Sequence, residues 1–169
     1  YLEFVKPIED ILKENNKKYI TKNYIRLNEN DLKKADKIII CGTSLHDFNY
    51  LDHLDKFNWL NKINKPVLGI CSGMQLIGMV NGGINKKKTE IGFYKEKFNK
   101  NFLNIKEDAE LEVYHLHNNY IDFSKLNDFY ICSKSSSVAQ AVKHKNKPLF
   151  GVLFHPEVRN KEIILSFIR

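Results

Sequence analysis

Apolar positions recur at helical spacing in some parts of the chain and in short continuous runs in others, and the two patterns alternate. Residues 2–14 place apolar side chains on one side and charged side chains on the other, which predicts an amphipathic helix despite Pro7. The remaining runs predict strands at 18–20, 37–41, 66–71, 91–98, 109–114, 129–133, 138–142 and 149–154, and helices at 51–61, 73–80 and 160–168. Strands and helices that alternate in this way are typical of an α/β fold.

Punctuating residues support this division. Residues 81–83 (Asn-Gly-Gly) end the helix that starts at residue 73, and residues 144–147 predict a hairpin turn. Asn160 is the expected N-cap of the last helix. The run at 66–71 is apolar throughout, as in strands buried on both faces of a parallel sheet. No linker or repeat divides the chain, so residues 1–169 form one expected domain.

Composition narrows the class of protein. The 169 residues are 43% hydrophobic and 28% charged, which suits one globular domain with a core. The apolar runs are far shorter than the ~20 residues of a membrane span, and no signal segment leads the chain. Three cysteines without Cys-x-x-Cys spacing predict neither disulfides nor a zinc site, so we expect a reducing cytoplasm and no membrane.

The net charge of +7 raises the question of a nucleic-acid partner. Only three of the basic residues are arginine, the side chain best suited to bidentate recognition of phosphate and guanine, and the lysines are scattered. We therefore expect a solvated basic surface and no nucleic acid. The one dense run, Lys86 to Lys88, is a second possibility as a docking patch for an acidic partner.

The chemistry of the chain centres on Cys71. It lies in Gly69-Ile70-Cys71-Ser72-Gly73, between an apolar strand and a helix, which is the context of a nucleophile elbow. A thiol at a helix N-terminus is favoured as the reactive thiolate. The alternative is a small buried cysteine with no chemical role.

A histidine near the other end of the chain favours the chemical role. His155 and Glu157 follow the apolar run 149–154, and two residues apart in extended chain they point to one side. The carboxylate can then orient the imidazole as a base for the thiol. The order Cys, His, Glu differs from the nucleophile, acid, histidine order of the α/β-hydrolases.

Two segments together resemble the class I (triad-type) glutamine amidotransferases: residues 66–77, around Gly69-Ile70-Cys71-Ser72-Gly73, and residues 151–158, around Phe154-His155-Pro156-Glu157. The resemblance implies a flavodoxin-like α/β fold, with a mostly parallel central sheet and helices on both faces. It implies that Cys71 attacks the side-chain amide of glutamine to form a thioester, while His155, held by Glu157, moves protons. Glutamate and ammonia are the implied products, and a partner synthetase would accept the ammonia.

The same resemblance implies further roles. Gly42, Thr43 and Ser72 match the oxyanion-hole positions, although the usual Gly-Gly-Pro appears here as Gly42-Thr43-Ser44. Gln75 matches a position that holds the substrate glutamine. Residues 114–118, with Leu116 and His117, match a segment whose backbone binds the amino-acid end of the substrate. Two histidines in that segment raise the question of a metal, but no third ligand is evident at a suitable spacing, so none is expected.

The branch of the family is indicated by a few residues. Met74 is usual in histidine-biosynthesis amidotransferases, but Glu90-Ile91-Gly92-Phe93 followed by residues 114–118 is more similar to the guanylate-synthase-like branch. The resemblance then implies no cofactor in this chain and a partner synthetase, with guanylate synthase as the example, that uses ATP and Mg²⁺. A stand-alone γ-glutamyl hydrolase and a non-catalytic glutamine-binding regulator are the alternatives, and Thr43 is the residue that keeps the regulator open.

Family members of this type begin with a strand that runs into the first helix. The chain begins at Tyr1, already in the predicted helix. We therefore expect a short strand ahead of Tyr1, in the middle of the sheet of the natural protein.

Overall fold

The computed structural model describes residues 3–169, in which four α-helices, two 3₁₀ segments and seven strands are formed. The α-helices are α1 (Val5–Glu14), α2 (Glu29–Lys34), α3 (Ser72–Val80) and α4 (Glu162–Ile168), and the 3₁₀ segments are Tyr24–Arg26 and Asn49–Asn61. The strands are β1 (Ile38–Ile40), β2 (Val67–Ile70), β3 (Ile84–Lys97), β4 (Glu110–Asp122), β5 (Phe129–Ser135), β6 (Val138–His144) and β7 (Leu149–Val152). The residue-2 start expected for the first helix lies outside the described residues.

Five strands form the central sheet in the order β1-β2-β7-β6-β5. The pairs β1–β2 and β2–β7 are parallel, whereas β7–β6 and β6–β5 are antiparallel. The turn expected at residues 144–147 joins β6 to β7. Strands β3 and β4 form a separate antiparallel ribbon. The expected α/β class is thus confirmed, with parallel strands on the side of the sheet that carries Cys71.

Apolar packing on both faces of β2 holds this arrangement together. Val67, Leu68 and Ile70 are fully buried. Leu68 and Ile70 share a cluster with residues of α1 and α4, whereas Val67 packs in a second cluster with residues of α3 and the Asn49–Asn61 segment. Burial on both faces explains the unbroken apolar run of this strand, and it fixes the position of Cys71, which follows directly.

Several sequence expectations were wrong in detail. Residues 18–20 form no strand, and the helix expected at 51–61 is a 3₁₀ segment with a kink at His53. Asn160 does not cap α4, whose N-cap is Lys161. Asn160 has a positive φ of 75°, and its side-chain amide donates a 2.8 Å hydrogen bond to the carbonyl of Glu112.

The ribbon is also longer than the apolar pattern indicated. The expected strands at 91–98 and 109–114 extend to Ile84–Lys97 and Glu110–Asp122. The added part of β3 includes the exposed residues Lys86 and Lys87 and the half-buried Lys88. A strand whose side chains are mostly solvated carries little of the alternation that reveals strands in a sequence.

Strand β1 lies at one end of the central sheet, and none of the strands formed by residues 3–169 pairs with its outer edge. The strand expected ahead of Tyr1 stays a prediction. None of the helices within residues 3–169 has the length and apolar character needed to cross a lipid bilayer.

Candidate active site

Cys71 occupies a sharp turn between β2 and α3, as the sequence predicts. Its φ is 51° and its ψ is −106°, a conformation that costs a non-glycine residue energy and persists only where surrounding structure enforces it. Glycines on both sides make the turn possible. A Cβ at Gly69 would lie 2.5 Å from the carbonyl carbon of Gly73, and one at Gly73 would lie 2.3 Å from the carbonyl oxygen of Ile40.

His155 and Glu157 follow β7 and form a buried pair. Nδ1 of His155 lies 2.7 Å from Oε1 of Glu157, so the carboxylate accepts the ring proton and fixes the orientation of the imidazole. The ring of Phe4 packs against the imidazole with 5.0 Å between centroids. Nε2, the other ring nitrogen, is buried and has no hydrogen-bond partner of good geometry within residues 3–169.

The side chains of Cys71 and His155 meet over Gly42. A Cβ on Gly42 would lie 2.8 Å from Cε1 of His155 and 3.4 Å from Cβ of Cys71, so only glycine leaves room for both. Burial by itself lowers the pKa of His155, but the neighbouring Cys71 and Glu157 raise it, to about 10 overall. The imidazole therefore holds its proton at neutral pH beside the sulfur.

The expected oxyanion-hole residues lie in the same place. Thr43 and Ser72 line the pocket next to Cys71, and Gly42 is buried beside it. Ser72 is the first residue of α3, so its N–H is one of those left unpaired by the helix. Neither Gly42 nor Thr43 has a positive φ. The loss of the family's second glycine at Thr43 therefore introduces no backbone strain here.

Gln75 is fixed from two sides at the floor of the pocket. Its Oε1 accepts a 2.8 Å hydrogen bond from the Tyr50 hydroxyl, and its Nε2 donates a 2.9 Å bond to the Asn119 carbonyl. Burial raises the pKa of Tyr50 well above its usual value, so the hydroxyl stays protonated and remains a donor. Gln75 was predicted from the sequence, but its partners Tyr50 and Asn119 were not, because neither lies in a recognisable motif.

The pocket itself is narrow. It is lined by residues 43–45, 47 and 48 of one loop and by Tyr50, and by residues 116–119 of β4. The carbonyl oxygen of Leu116 lies 3.7 Å from the Cys71 sulfur. The cavity has a volume of about 20 Å³, which is space for one or two water molecules.

His117 reaches this wall, but its imidazole is held within the ribbon. Nε2 lies 3.0 Å from Oε2 of Glu90, and His115 lies on the same face of the ribbon. No third metal-ligating residue was evident from sequence spacing, but in the structure Glu90 lies beside the two histidines. Glu90 is remote from them in sequence, and only the register of β3 on β4 brings it into place.

The sequence matches one protein family and several known proteins. The model of the family "Glutamine amidotransferase class-I" matches residues 1–168. One subunit of the glutamine-hydrolysing GMP synthase of Picrophilus torridus is 35% identical over 138 residues, which span 78% of this chain and 72% of that one. The GMP synthase of Francisella tularensis is 35% identical over 116 residues, 63% of this chain but only 22% of that protein.

Solved structures show the same fold. A protein described as a GMP synthase subunit from Thermoplasma acidophilum superimposes with a TM-score of 0.83 at 25% identity, covering 97% of this chain and 86% of that one. A glutamine amidotransferase from Thermotoga maritima gives a TM-score of 0.71 at 22% identity, covering 95% and 74%. Because the family model matches nearly the whole length of this chain, the chain belongs to the class-I glutamine amidotransferases.

Proposed function

We propose that this chain hydrolyses the side-chain amide of glutamine through Cys71, His155 and Glu157, and delivers the ammonia to a synthetase. The observation that carries the proposal is the position of Cys71, on a strained turn beside the buried His155–Glu157 pair. The pocket next to it contains Gln75, whose amide is fixed and able to bind a polar substrate.

In the first half of the reaction the Cys71 sulfur attacks the amide carbon of glutamine, and the C=O electrons move to oxygen. The N–H of Ser72 and those of the Gly42–Thr43 loop are the donors available to that oxyanion. Backbone donors of this kind are each worth ~3 kcal/mol of transition-state stabilisation. The C–N bond then breaks, and Nε2–H of His155 gives its proton to the leaving nitrogen, which departs as ammonia.

The second half of the reaction removes the γ-glutamyl thioester. His155 is now neutral and takes a proton from a water molecule, which attacks the thioester carbon. Collapse of the intermediate breaks the C–S bond, releases glutamate and restores the thiolate beside the imidazolium. Cys71 and Glu157 raise the pKa of His155, so the resting enzyme already holds the proton that the leaving nitrogen needs.

An exposed apolar strip supports a protein partner. Ile91 and Phe93, two residues apart on β3, are 52% and 58% exposed. Ile91 pairs directly with Leu116, whose carbonyl contacts the Cys71 sulfur, so the strip borders the place where ammonia forms. Contiguous exposed apolar side chains mark protein interaction sites. The partner we propose is a synthetase of the guanylate-synthase type, as the name of a relative suggests. We further propose that this partner uses ATP and Mg²⁺.

The test is the release of glutamate and ammonia from glutamine, measured with and without a guanylate-synthase ATP-binding subunit supplied with ATP, Mg²⁺ and acceptor nucleotide. We expect slow release from the chain alone, a large increase when the synthetase is present, and none from Cys71→Ala. The control is Ser124→Ala, at an exposed position that does not line the pocket, and it should match the wild type.

Other results would replace the proposal. Hydrolysis of γ-glutamyl peptides without release of ammonia from free glutamine would identify a γ-glutamyl hydrolase. Binding of glutamine without turnover, with or without the synthetase, would identify a regulator. Glutamate release that survives in Cys71→Ala would exclude Cys71 as the nucleophile.

A further inference from the structure

We propose that Glu90, His115 and His117 form a binding site for a divalent transition metal, with Zn²⁺ as the best fit, in the wall behind the glutamine pocket. This goes beyond the proposed function. All three residues are buried, with exposures of 5%, 0% and 2%. One carboxylate oxygen and one ring nitrogen from each histidine lie within 4.8 Å of one another.

The ribbon itself places these side chains on one face. Glu90 pairs with His117 across β3 and β4, and His115 lies two residues from His117 on the same side. A β-bulge between Lys87 and Glu90 shifts the register immediately before the carboxylate. Bulges re-aim side chains at functional sites, and this one turns Glu90 toward the two imidazoles.

The ring nitrogens are arranged as metal ligands usually are. Nε2 of His115 lies 3.0 Å from Oε1 of Glu96, which leaves Nδ1 buried without a hydrogen-bond partner. Metal-binding histidines generally donate their second ring N–H to a carboxylate in this way. Neither nitrogen of His117 makes a hydrogen bond of good geometry, although its Nε2 lies 3.0 Å from Glu90.

Buried nitrogens without partners are rare in folded proteins, and each calls for an explanation. A bound cation would satisfy both histidines and neutralise Glu90.

The Glu90 carboxylate is held from two further sides. Nε2 of Gln140 donates a 3.0 Å hydrogen bond to Oε2, and Nζ of Lys88 lies 3.4 Å from Oε1. Gln140 is buried and orients the carboxylate from β6. The Lys88 side chain is 37% exposed, so it can swing into solvent and give up its place to a cation.

Two imidazoles and one carboxylate form the ligand set of open zinc sites, in which water takes the fourth position. Mg²⁺ and Ca²⁺ prefer oxygen ligands and fit this set poorly. With metal–ligand bonds of ~2.0 to 2.1 Å, tetrahedral ligands are ~3.3 Å apart. The present separations of up to 4.8 Å therefore need only a small side-chain contraction.

The proposed metal site lies next to the pocket, so a bound ion would affect the pocket wall. His115 and His117 flank Leu116, whose carbonyl contacts the Cys71 sulfur, and Asn119 on the same strand holds Gln75. An ion bound to both histidines would fix this part of β4 and so the wall that meets the substrate.

The experiment measures how well the chelator-treated protein competes with an indicator dye for Zn²⁺. Absorption spectra of the Co²⁺-loaded protein and thermal unfolding with and without Zn²⁺ follow. We expect one Zn²⁺ per chain, a higher melting temperature with Zn²⁺, and tetrahedral Co²⁺ bands without a thiolate charge-transfer band. His115→Asn and Glu90→Gln should each weaken binding at least tenfold, whereas exposed His46→Asn should leave it unchanged.

Cys71→Ala separates this site from the Cys71–His155 pair, which could itself bind zinc. We expect Cys71→Ala to bind Zn²⁺ as the wild type does, whether or not the protein hydrolyses glutamine. Loss of binding in Cys71→Ala, or binding retained in both His115→Asn and Glu90→Gln, would overturn the proposal. So would the absence of a bound ion in folded wild-type protein at micromolar Zn²⁺.

Discussion

Single residues at the Cys71 turn decide whether the site exists at all. Cys71 adopts a conformation that L residues rarely occupy, and it does so because β2, α3 and the flanking glycines enforce it. Cys71 could be predicted from the sequence because the turn leaves no room for a Cβ on either side, and the chain therefore has glycines there. Tyr50 and Asn119 could not be predicted, because no local sequence pattern indicates their hydrogen bonds to Gln75.

Gly73→Ala should destabilise the protein by about 2 kcal/mol or more, because its Cβ would lie 2.3 Å from the backbone oxygen of Ile40 and β1 would have to shift. The measurement is urea unfolding. Ser124→Ala, at an exposed position, is the control. Equal losses in the two variants would contradict the steric account of the turn.

Glu157→Gln should reduce kcat for glutamine hydrolysis by about 10² to 10⁴-fold, with a much smaller change in KM. The amide cannot hold the imidazolium as the carboxylate does, and the pKa of His155 should fall because one of the groups that raise it is gone. Steady-state kinetics and NMR titration of His155 measure the two effects. Exposed Glu162→Gln is the control, and an unchanged kcat in Glu157→Gln would exclude the pairing.

Elements differ in how far the sequence determines them. Strand β2 was predicted almost to the residue because it is buried on both faces. Strand β3 was predicted too short because its first four residues, two of them lysines, are all exposed and show no alternation. The pairing of β3 with β4 was not predictable, since a shift of one residue would leave the composition of both strands unchanged. The Glu90–His117 contact depends entirely on that register.

The β6–β7 turn supplies a test by pH. Nδ1 of His144 accepts hydrogen bonds from the N–H groups of Asn146 (3.1 Å) and Lys147 (3.0 Å), which requires a neutral ring. Burial and the nearby Lys147 lower the pKa of His144 below 6.5. The unfolded chain therefore takes up this proton at a higher pH than the folded one, and the stabilisation is present above pH 6.5 and lost as the pH falls below it.

His144→Ala should accordingly lose about 1 kcal/mol of stability at pH 7.5 and less at pH 5.5. Urea unfolding of the two proteins at both pH values gives the difference. His46→Ala, at an exposed loop position, is the control. A penalty that stays constant or grows toward pH 5.5 would show that the turn does not depend on a neutral His144.

At the scale of the whole molecule, parallel pairing of β2 with β7 is what brings distant motifs together. Cys71 and His155 follow the carboxyl ends of adjacent parallel strands, where ligand sites of open α/β sheets form. This juxtaposition could be predicted, because both motifs follow apolar strands. The mixed character of the sheet and the separate ribbon could not, since local patterns do not determine strand order.

The exposed apolar side chains of Ile91 and Phe93 form the surface that we propose binds the synthetase. Replacing Ile91 and Phe93 together by Ser should leave the folding and the unassisted hydrolysis unchanged, since both side chains are more than half exposed. The concentration of synthetase required for stimulation should rise at least tenfold. Thr89→Ser on the same strand is the control. Full stimulation of the double variant would place the partner elsewhere.

The central claim is that Cys71 is a nucleophile that acts on bound glutamine, and covalent labelling tests it most directly. Burial raises the pKa of Cys41 to about 12 and that of Cys132 to about 11, so both of these thiols should be inert at neutral pH. The measurement is peptide-resolved mass spectrometry after treatment with a glutamine-mimicking electrophile. We expect one adduct, on Cys71, that free glutamine prevents and that His155→Ala slows. Labelling of Cys41 or Cys132 instead, or labelling of Cys71 that glutamine does not affect, would contradict it.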